Sequence, residues 1–253
     1  MTTVVITMAG FGRRFLDAGY TVSKYRIVAH GRSLFAWSIL SLQSFIQAGA
    51  RFVFVVRGAD AATHFIDTEA ALLGIRNHAI VELDSPTDGQ ATTALLALPV
   101  VAAIAAPMLV YNIDTLVSPT ALSASSVRGD GWIPCFGAEG DHWSFAEADQ
   151  QGRVSRLREK VRISPHATIG LYWFSSFELY AEAYRGYYGN GRLEAGERYV
   201  APLYNYMIDH GREVFIQEVP SAAVIPLGLP HDVEVFQNYT PAEIQSIIGQ
   251  GHK

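Results

Sequence analysis

Residues 3–15 read TVVITMAGFGRRF: a β-branched run from Thr3 to Met8 that empties into a glycine-rich turn followed by two arginines. Gly10 and Gly12 let the backbone turn tightly and aim N–H groups into one concavity, a nest suited to phosphate. Arg13 and Arg14 add fixed positive charge at its rim. On these residues alone, a tight βα turn with surface arginines accounts for the stretch equally well. It is not a Walker A loop, since no Gly-Lys-Ser/Thr follows, and the third glycine of the dinucleotide fingerprint is missing.

Outward from this turn, strand-like and helix-like segments alternate. Leu34–Ala48 reads as a helix, Arg51–Val56 as a strand, 59–73 as a helix and 79–83 as a strand. A helix is expected over 89–98 and a strand over Met108–Asn112. Near-continuous apolar strands separated by helices point to βαβ units and a buried parallel sheet. Ligands of such sheets bind beyond the C-terminal ends of the strands. After about residue 130 the pattern changes to short strands, at 132–138, 142–148, 154–158 and 168–174. Helices are expected over 177–188, 199–210, 230–237 and 241–248, with extended segments at 213–219 and 223–226. The fold class is therefore α/β: a Rossmann-like, mixed and mostly parallel sheet flanked by helices, with no linker dividing it.

The composition excludes several classes of function. The 253 residues carry a net charge of -5, and 49% are hydrophobic against 17% charged. That balance is globular rather than disordered. Mild acidity argues against a nucleic-acid partner, because phosphate neutralisation needs clustered Lys and Arg. A single cysteine, Cys135, rules out an intramolecular disulfide and a Cys-based zinc site. The eight histidines form no His-x-His or His-Glu-x-x-His arrangement. The longest apolar run, 94–110, is broken by Pro99 and Pro107 and falls short of the roughly 20 residues a membrane span needs. The opening MTTVVITMAG lacks the basic segment and long apolar core of a signal peptide, so a cytoplasmic protein with no membrane partner is expected.

Several stretches, in order, resemble the signatures of sugar-phosphate nucleotidyltransferases, the nucleoside-diphosphate-sugar pyrophosphorylases among them. MAGFGRRF, then SKYRIVAHGRSLFAWSI, resembles the family's N-terminal signature. TDGQATTALLA resembles its base-contacting stretch, LVYNIDTLV its metal-bearing strand end, and REKVRISPHATIGLYWFSS a segment of its sugar-phosphate half. Fainter echoes occur in ERYVAPLYNYMIDHG and PLGLPHDVEVF. The resemblance covers most of the chain. It implies one domain over residues 1–253, with 1–130 as the nucleotide-binding half and 131–253 as the acceptor-binding half.

The implied reaction is attack by an acceptor phosphate oxygen on the α-phosphorus of a nucleoside triphosphate, with pyrophosphate leaving. Such chemistry asks for N–H groups, cations and a divalent metal that hold two repelling phosphates in line. By resemblance, Ala9, Gly10, Gly12 and Arg13 line the triphosphate, and Arg14 grips pyrophosphate oxygens through its planar fork. Lys24 neutralises the α-phosphate, with Ser23 standing where the family carries proline. Gly89 and Gln90 meet the base. Asp114 holds Mg²⁺, a hard ion satisfied by one or two carboxylates plus phosphate oxygens and waters. The bland alternative for Asp114 is a turn former before Ser118-Pro119, and Asn112 has at most a supporting role. Glu159, Lys160, Gly170 and Glu197 belong to the acceptor side, and Asn205 lies in the same ERYVAPLYN segment. Asp232 is the second metal candidate and equally a cap for the helix that follows it. The implied partners are a nucleoside triphosphate and a phosphorylated sugar or similar small acceptor, and a homo-oligomer is allowed. Tyr180, Tyr184, Tyr187 and Tyr188 share one helix face, suited to the core, a subunit interface or the wall of an acceptor pocket. A metal-dependent glycosyltransferase of the related fold and a non-catalytic nucleotide-binding relative are the rival readings. Arg14 with Lys24 speaks against the first, and Ser23 motivates the second.

Overall fold

The computed structural model describes residues 1–101 and 103–249. In chain order it holds β1 (Thr3–Thr7), α1 (Arg13–Asp17), β2 (Val28–Ala29), β3 (Arg32–Ser33), α2 (Leu34–Leu40), α3 (Gln43–Gln47), β4 (Arg51–Arg57), α4 (Thr63–Leu72), β5 (His78–Leu83), α5 (Gln90–Leu95), β6 (Met108–Asn112) and β7 (Thr115–Val117). There follow β8 (Gly131–Gly137), β9 (Ser144–Ala148), β10 (Val154–Glu159), β11 (His166–Thr168), β12 (Leu171–Phe174), α6 (Phe177–Tyr188), α7 (Leu203–Asp209), β13 (Val214–Glu218), β14 (Val224–Pro226), α8 (Pro230–Gln237) and α9 (Pro241–Ile248).

One ten-stranded sheet runs β10-β9-β11-β8-β12-β6-β1-β4-β5, with β13 also paired to β8. β5, β4, β1 and β6 are mutually parallel, and β12 turns the direction against β6. Followed across the sheet, β10, β11 and β12 run against the other seven strands. This is the mixed, mostly parallel sheet that the alternating pattern predicts. β1 lies between β4, added first, and β6, added later on its other side, so the strand order reverses at β1. In open sheets of this kind ligands bind beyond the C-terminal strand ends at such a reversal, here those of β1 and β6.

The strands bury both faces because their side chains alternate. Val4, Ile6, Phe52, Phe54, Leu109 and Tyr111 meet α2, α3 and α4 on one face. Val5, Val53, Val55, Met108 and Val110 meet α5, α6 and α7 on the other. At about 1.5–3 kcal/mol for each fully buried large aliphatic or aromatic side chain, these two layers supply the main driving force. A third cluster joins Phe15, Ile27, Leu34 and Trp37 to Leu227, Val233, Phe236 and Ile244. It brings the C-terminal helices back against the segment that follows the glycine-rich turn. Among the described residues no helix is long and apolar enough to cross a membrane.

Four sequence readings are refined. The helix expected over Leu34–Ala48 breaks into α2 and α3, because Ser41 Oγ accepts the Val117 N–H at 2.8 Å and a Tyr111 hydroxyl bond at 3.2 Å. That side chain anchors the break to β7. The helix expected over 59–73 starts only at Thr63, after a short 3₁₀ turn and a left-handed Ala61. The strand expected over 168–174 splits at Gly170, which takes φ +80°. The helix expected over 199–210 begins at Leu203, with Pro202 as its cap.

Candidate active site

The glycine-rich turn leaves β1 where Met8 N–H bonds Val55 O at 2.8 Å, so its start is pinned to β4. Beyond it, Gly12 adopts φ 61°, ψ 30°, a left-handed conformation that glycine takes at least cost. Its carbonyl accepts from Phe15 and Leu16 and opens α1. Among the described residues, the main-chain N–H groups of Ala9, Gly10, Phe11 and Gly12 find no acceptor. Four successive donors without a protein acceptor, ending at a left-handed Gly12, are available to an anion. Arg13 and Arg14 are both exposed on α1. Arg13 lies 5.4 Å over the Phe11 ring, whereas Arg14 has no side-chain partner among the described residues.

Lys24 opens a 3₁₀ turn against this loop: a Cβ placed on Gly12 would lie 3.9 Å from Lys24 Cβ. Its Nζ reaches Asp114 Oδ2 at 3.3 Å, and both side chains remain partly open to solvent. Asp114 stands just past the end of β6, where its carbonyl accepts from Leu227. Gly228 lies beside it. A Cβ there would come 3.6 Å from Asp114 Oδ2, so glycine leaves room next to the carboxylate.

Gln90, the first residue of α5, bridges the strand ends. Its Nε2 donates to Thr7 Oγ1 at 3.3 Å and to Asn112 Oδ1, and Thr7 and Asn112 are register partners of β1 and β6. Asn112 in turn packs on Gly170, where a Cβ would lie 2.7 Å from Nδ2. Asn112 is thus a strut between the parallel and antiparallel parts of the sheet. Gly89 has φ 148° and ψ 174°, a region essentially reserved for glycine. A Cβ on it would meet Arg198 N and O at 2.5 Å.

That close approach ties two distant segments together. Arg198 N–H donates to Asp88 O at 2.9 Å, and Ala91 N–H donates to Arg198 O at 2.8 Å. The Arg198 side chain pairs with Asp88 at 3.1 Å and donates to Tyr184 OH at 2.6 Å. The tyrosine face of α6 holds the same junction. Tyr180 OH donates to Ala91 O, Tyr188 OH to Tyr199 O, and Tyr187 OH to Glu194. Tyr180, Tyr184 and Tyr188 are buried, so the face is core with its hydroxyls used as anchors.

Beyond the junction lie Glu159 and Lys160, at the end of β10. Glu159 is 9% exposed and accepts from Ser144 Oγ. Burial pushes its carboxyl above the usual range, and Glu197 and Glu194 add to this against the opposing pull of Ser144 and Lys160. Lys160 donates to Tyr199 OH at 2.5 Å and lies 4.7 Å over the Tyr199 ring. Burial pulls its pKa down, but the Tyr199 contact, Glu159 and Glu197 outweigh that and hold it above its ordinary value. Glu197 is exposed and exchanges backbone bonds with Glu194. Asn205 pairs its amide with both backbone groups of Leu157, two residues before Glu159 on β10.

Two groups of expected residues are thus joined by Gln90 and Arg198. Ala9, Gly10, Gly12, Lys24 and Asp114 form one, and Glu159, Lys160 and Glu197 the other. Asp232 Oδ2 accepts the Leu229 N–H at 2.8 Å, the capping role, and among the described residues no three His, Cys, Asp or Glu side chains converge as a metal cluster. Sequence reasoning missed Thr7, Ser144, Arg198, Tyr199 and Gly228. Arg198 and Tyr199 adjoin the Glu197 that was singled out, but no spacing rule marks them.

No family model matches the chain, and no curated protein sequence matches it. Among solved structures it is similar to the nucleoside-diphosphate-sugar pyrophosphorylase of Vibrio cholerae RC9, at 36% identity and a TM-score of 0.86, over 93% of this chain and 100% of that one. It is similar in fold to the inositol-1-phosphate CTP transferase of T. maritima, at 16% identity and a TM-score of 0.75, over 98% of each chain. It is also similar in fold to a UDP-glucose pyrophosphorylase complexed with UDP-glucose, at 14% identity and a TM-score of 0.73, over 94% of this chain and 97% of that one. Because the 36% identity extends over all of the Vibrio cholerae chain, this protein belongs to the nucleoside-diphosphate-sugar pyrophosphorylase family.

Proposed function

We propose that the protein transfers a nucleotidyl group from a nucleoside triphosphate to a phosphorylated sugar or similar small phosphorylated acceptor. An acceptor phosphate oxygen bonds to the α-phosphorus, the bond to the β-phosphate bridge breaks, and pyrophosphate leaves. The observation that carries this reading is the set of four free N–H groups, Ala9 to Gly12, lying against Lys24, which itself pairs with Asp114.

Each residue then has a task set by its place. The amides of Ala9, Gly10 and Gly12 receive triphosphate oxygens, with Arg13 and Arg14 at the open rim. Arg14, without a side-chain partner, is free to follow the leaving pyrophosphate. Lys24 offsets charge at the α-phosphorus, where fixed cations in a preorganised site are worth most. Gln90 and Gly89 border the base; both Gln90 Nε2 hydrogens go to Thr7 and Asn112, so Oε1 is the atom it offers to a donor on the base edge. Glu159 accepts from acceptor hydroxyls, Lys160 meets its phosphate, and Glu197 and Gly170 complete that side. Residues 1–130 serve as the nucleotide half and 131–253 as the acceptor half of one domain.

Mg²⁺ fits the donor set. Asp114 offers a hard carboxylate oxygen that is partly open to solvent, and Gly228 sets no side chain against it. Asp114 would hold the ion, with Asp232 as the second carboxylate by resemblance to the family, and a bound ion would supply charge neutralisation on the phosphates. We assign the reaction to the cytoplasm, where nucleoside triphosphates are made, and its product to surface-polysaccharide precursors.

The test is thermal unfolding against CTP, UTP, dTTP, GTP and ATP, each with and without Mg²⁺, followed by a pyrophosphate-release assay with phosphorylated acceptors. A triphosphate at about 100 times its dissociation constant adds roughly 2.7 kcal/mol of stability. A selective, Mg²⁺-favoured shift with pyrophosphate release supports the reading. Release of a nucleoside diphosphate from a nucleotide sugar, or no shift with any of the five, overturns it.

A further inference from the structure

Asp60 lies outside the residues so far assigned, at the corner between β4 and α4, yet bonds from two phosphate-side segments converge on it. Its side chain is 7% exposed. Its carboxylate accepts from Arg57 Nη2 at 2.5 Å, from Arg57 Nε at 3.4 Å and from Tyr25 OH at 3.2 Å. Its carbonyl accepts from Arg26 Nη2 at 2.9 Å, and the next carbonyl, Ala61 O, accepts from the same nitrogen at 2.8 Å. Tyr25 and Arg26 are the two residues after Lys24 in its 3₁₀ turn. Arg57, at the end of β4, lies 5.0 Å over the ring of Phe11, the residue between Gly10 and Gly12. Arg13 covers the same ring at 5.4 Å. Ala61 is held at φ +44°, a conformation uncommon for a residue with a Cβ and sustained here by the corner around it.

We infer that Asp60 is a positioning residue that fixes the glycine-rich turn and the Lys24 turn relative to each other. The turn is reached through Arg57 and Phe11, and Lys24 through Tyr25 and Arg26. The reasoning is geometric. Phe11 is 43% exposed, and the free amides on either side of it have no protein partner to hold their direction. Among the described residues, the charged end of Lys24 has the single contact to Asp114. Each segment has its own backbone bonds, and the corner at Asp60 is a shared, buried point to which both are tied. A shift of about 1 Å in such a pair costs on the order of 100-fold in a reaction that depends on in-line alignment. Ser23 belongs to the same device. It sits at φ -57°, ψ 139°, which proline adopts without strain, but serine lacks the ring that would fix φ at this entry to the Lys24 turn. The Arg26 clamp supplies the restraint from the other side.

The inference rests on the proposed nucleotidyl transfer for its kinetic arm only; its structural arm does not. Asp60→Asn keeps the shape and removes the charge. It is expected to lower kcat/KM for the triphosphate by about tenfold, with KM for the acceptor within about twofold, since misplacement falls on the phosphate side alone. Amide hydrogen exchange should quicken by about fivefold or more over residues 10–14 and 24–27, and stay unchanged over 157–160 and 194–199. Arg26→Ala should behave likewise, and adding Ser23→Pro to Arg26→Ala should recover at least half of the lost kcat, a rescue that a merely structural role would not give. Asp67→Asn, which removes an acid elsewhere on α4, serves as the control. Unchanged kinetics and exchange in Asp60→Asn overturn the inference, as does a loss spread equally over triphosphate and acceptor. If the unaltered protein transfers no nucleotide, the proposed function fails, and the exchange pattern alone decides the role of Asp60.

Discussion

The glycine-rich turn and the Arg198 junction, proposed above as the phosphate and acceptor sides, are opposite solutions to placing polar groups. In the turn, four amides and the Arg14 side chain have no protein partner among the described residues, and Arg13 rests only on a ring face. At the junction nearly every polar group is used. Glu159 is bonded to Ser144, Lys160 to Tyr199, and Arg198 to Asp88 and Tyr184. Unpaired donors at an accessible rim cost little, because water satisfies them, and they stay available to a highly charged ligand. Buried polar groups must be paired, because an unsatisfied one costs about 1–3 kcal/mol. The turn therefore leaves its donors open, while the junction makes its hydrogen bonds in advance. The first arrangement suits phosphate oxygens, and the second suits a smaller acceptor that must be held in one pose.

The strongest way to break this comparison is to remove charge from the phosphate side. Asp114→Ala and Lys24→Ala should each cut pyrophosphate release by about 10²–10³-fold while leaving the melting temperature nearly unchanged. The Lys24–Asp114 contact is partly exposed, and such pairs contribute at most about 1 kcal/mol to stability. Activity within about threefold of the unaltered protein would remove both residues from the site.

A second contrast uses glycines. A Cβ on Gly89 runs into the Arg198 backbone at 2.5 Å, and its backbone conformation excludes other residues, so Gly89→Ala should destabilise by about 2–4 kcal/mol. Gly10→Ala meets nothing within 4 Å and should change stability by less than about 0.5 kcal/mol. Urea unfolding of the two variants measures both. Equal losses would mean that the turn is as tightly built as the junction.

These contrasts also explain what was legible in the sequence. The parallel strands announce themselves because both faces are buried, and runs such as FVFVV at 52–56 have no other use. The glycine-rich turn is local, so its spacing survives as a motif. Helices α6, α8 and α9 fall where their patterning places them, each with its own cap or proline start. The junction is not local. Arg198 meets Asp88 across 110 positions of chain, and nothing in ERYV distinguishes that arginine from a solvated one. The split at Gly170 is equally invisible, because its cause is the Asn112 side chain on another strand. Asp114 was legible as a carboxylate with no core role at a strand end. The space beside it depends on Gly228, which comes from the far C-terminal segment.

The buried side of the comparison carries a pH signature. Burial raises the Glu159 pKa, so the folded protein holds this proton to higher pH than the unfolded chain does. Its contribution is fully present below the unfolded carboxylate value of about 4.3 and is lost as pH rises through the raised folded value. Relative to Glu159→Gln, the unaltered protein should therefore lose stability as pH climbs from about 4 and then level off above the folded value. Melting temperatures of both proteins across that range test the sign. A difference that grows with pH would mean that Lys160 and Ser144 dominate over burial.

The smallest expected effect is the most discriminating, because it sets two arginines against each other. Arg14→Ala should leave stability within about 0.5 kcal/mol, since the side chain is exposed and has no partner among the described residues. Arg198→Ala removes the Asp88 contact and the Tyr184 bond, but the side chain is 22% exposed, so solvent screening limits the cost to about 1 kcal/mol. The kinetic effects should be reversed in kind. Arg14→Ala should raise KM for the triphosphate or slow pyrophosphate release without touching KM for the acceptor. Arg198→Ala should raise both KM values, because Arg198 is bonded to the loop that carries Gln90 and lies between Glu197 and Tyr199. Chemical unfolding and steady-state kinetics on the two variants measure all four quantities. If the two arginines cost the same stability and shift the same KM, a ligand-facing turn and a self-satisfied junction are not distinct parts of this site.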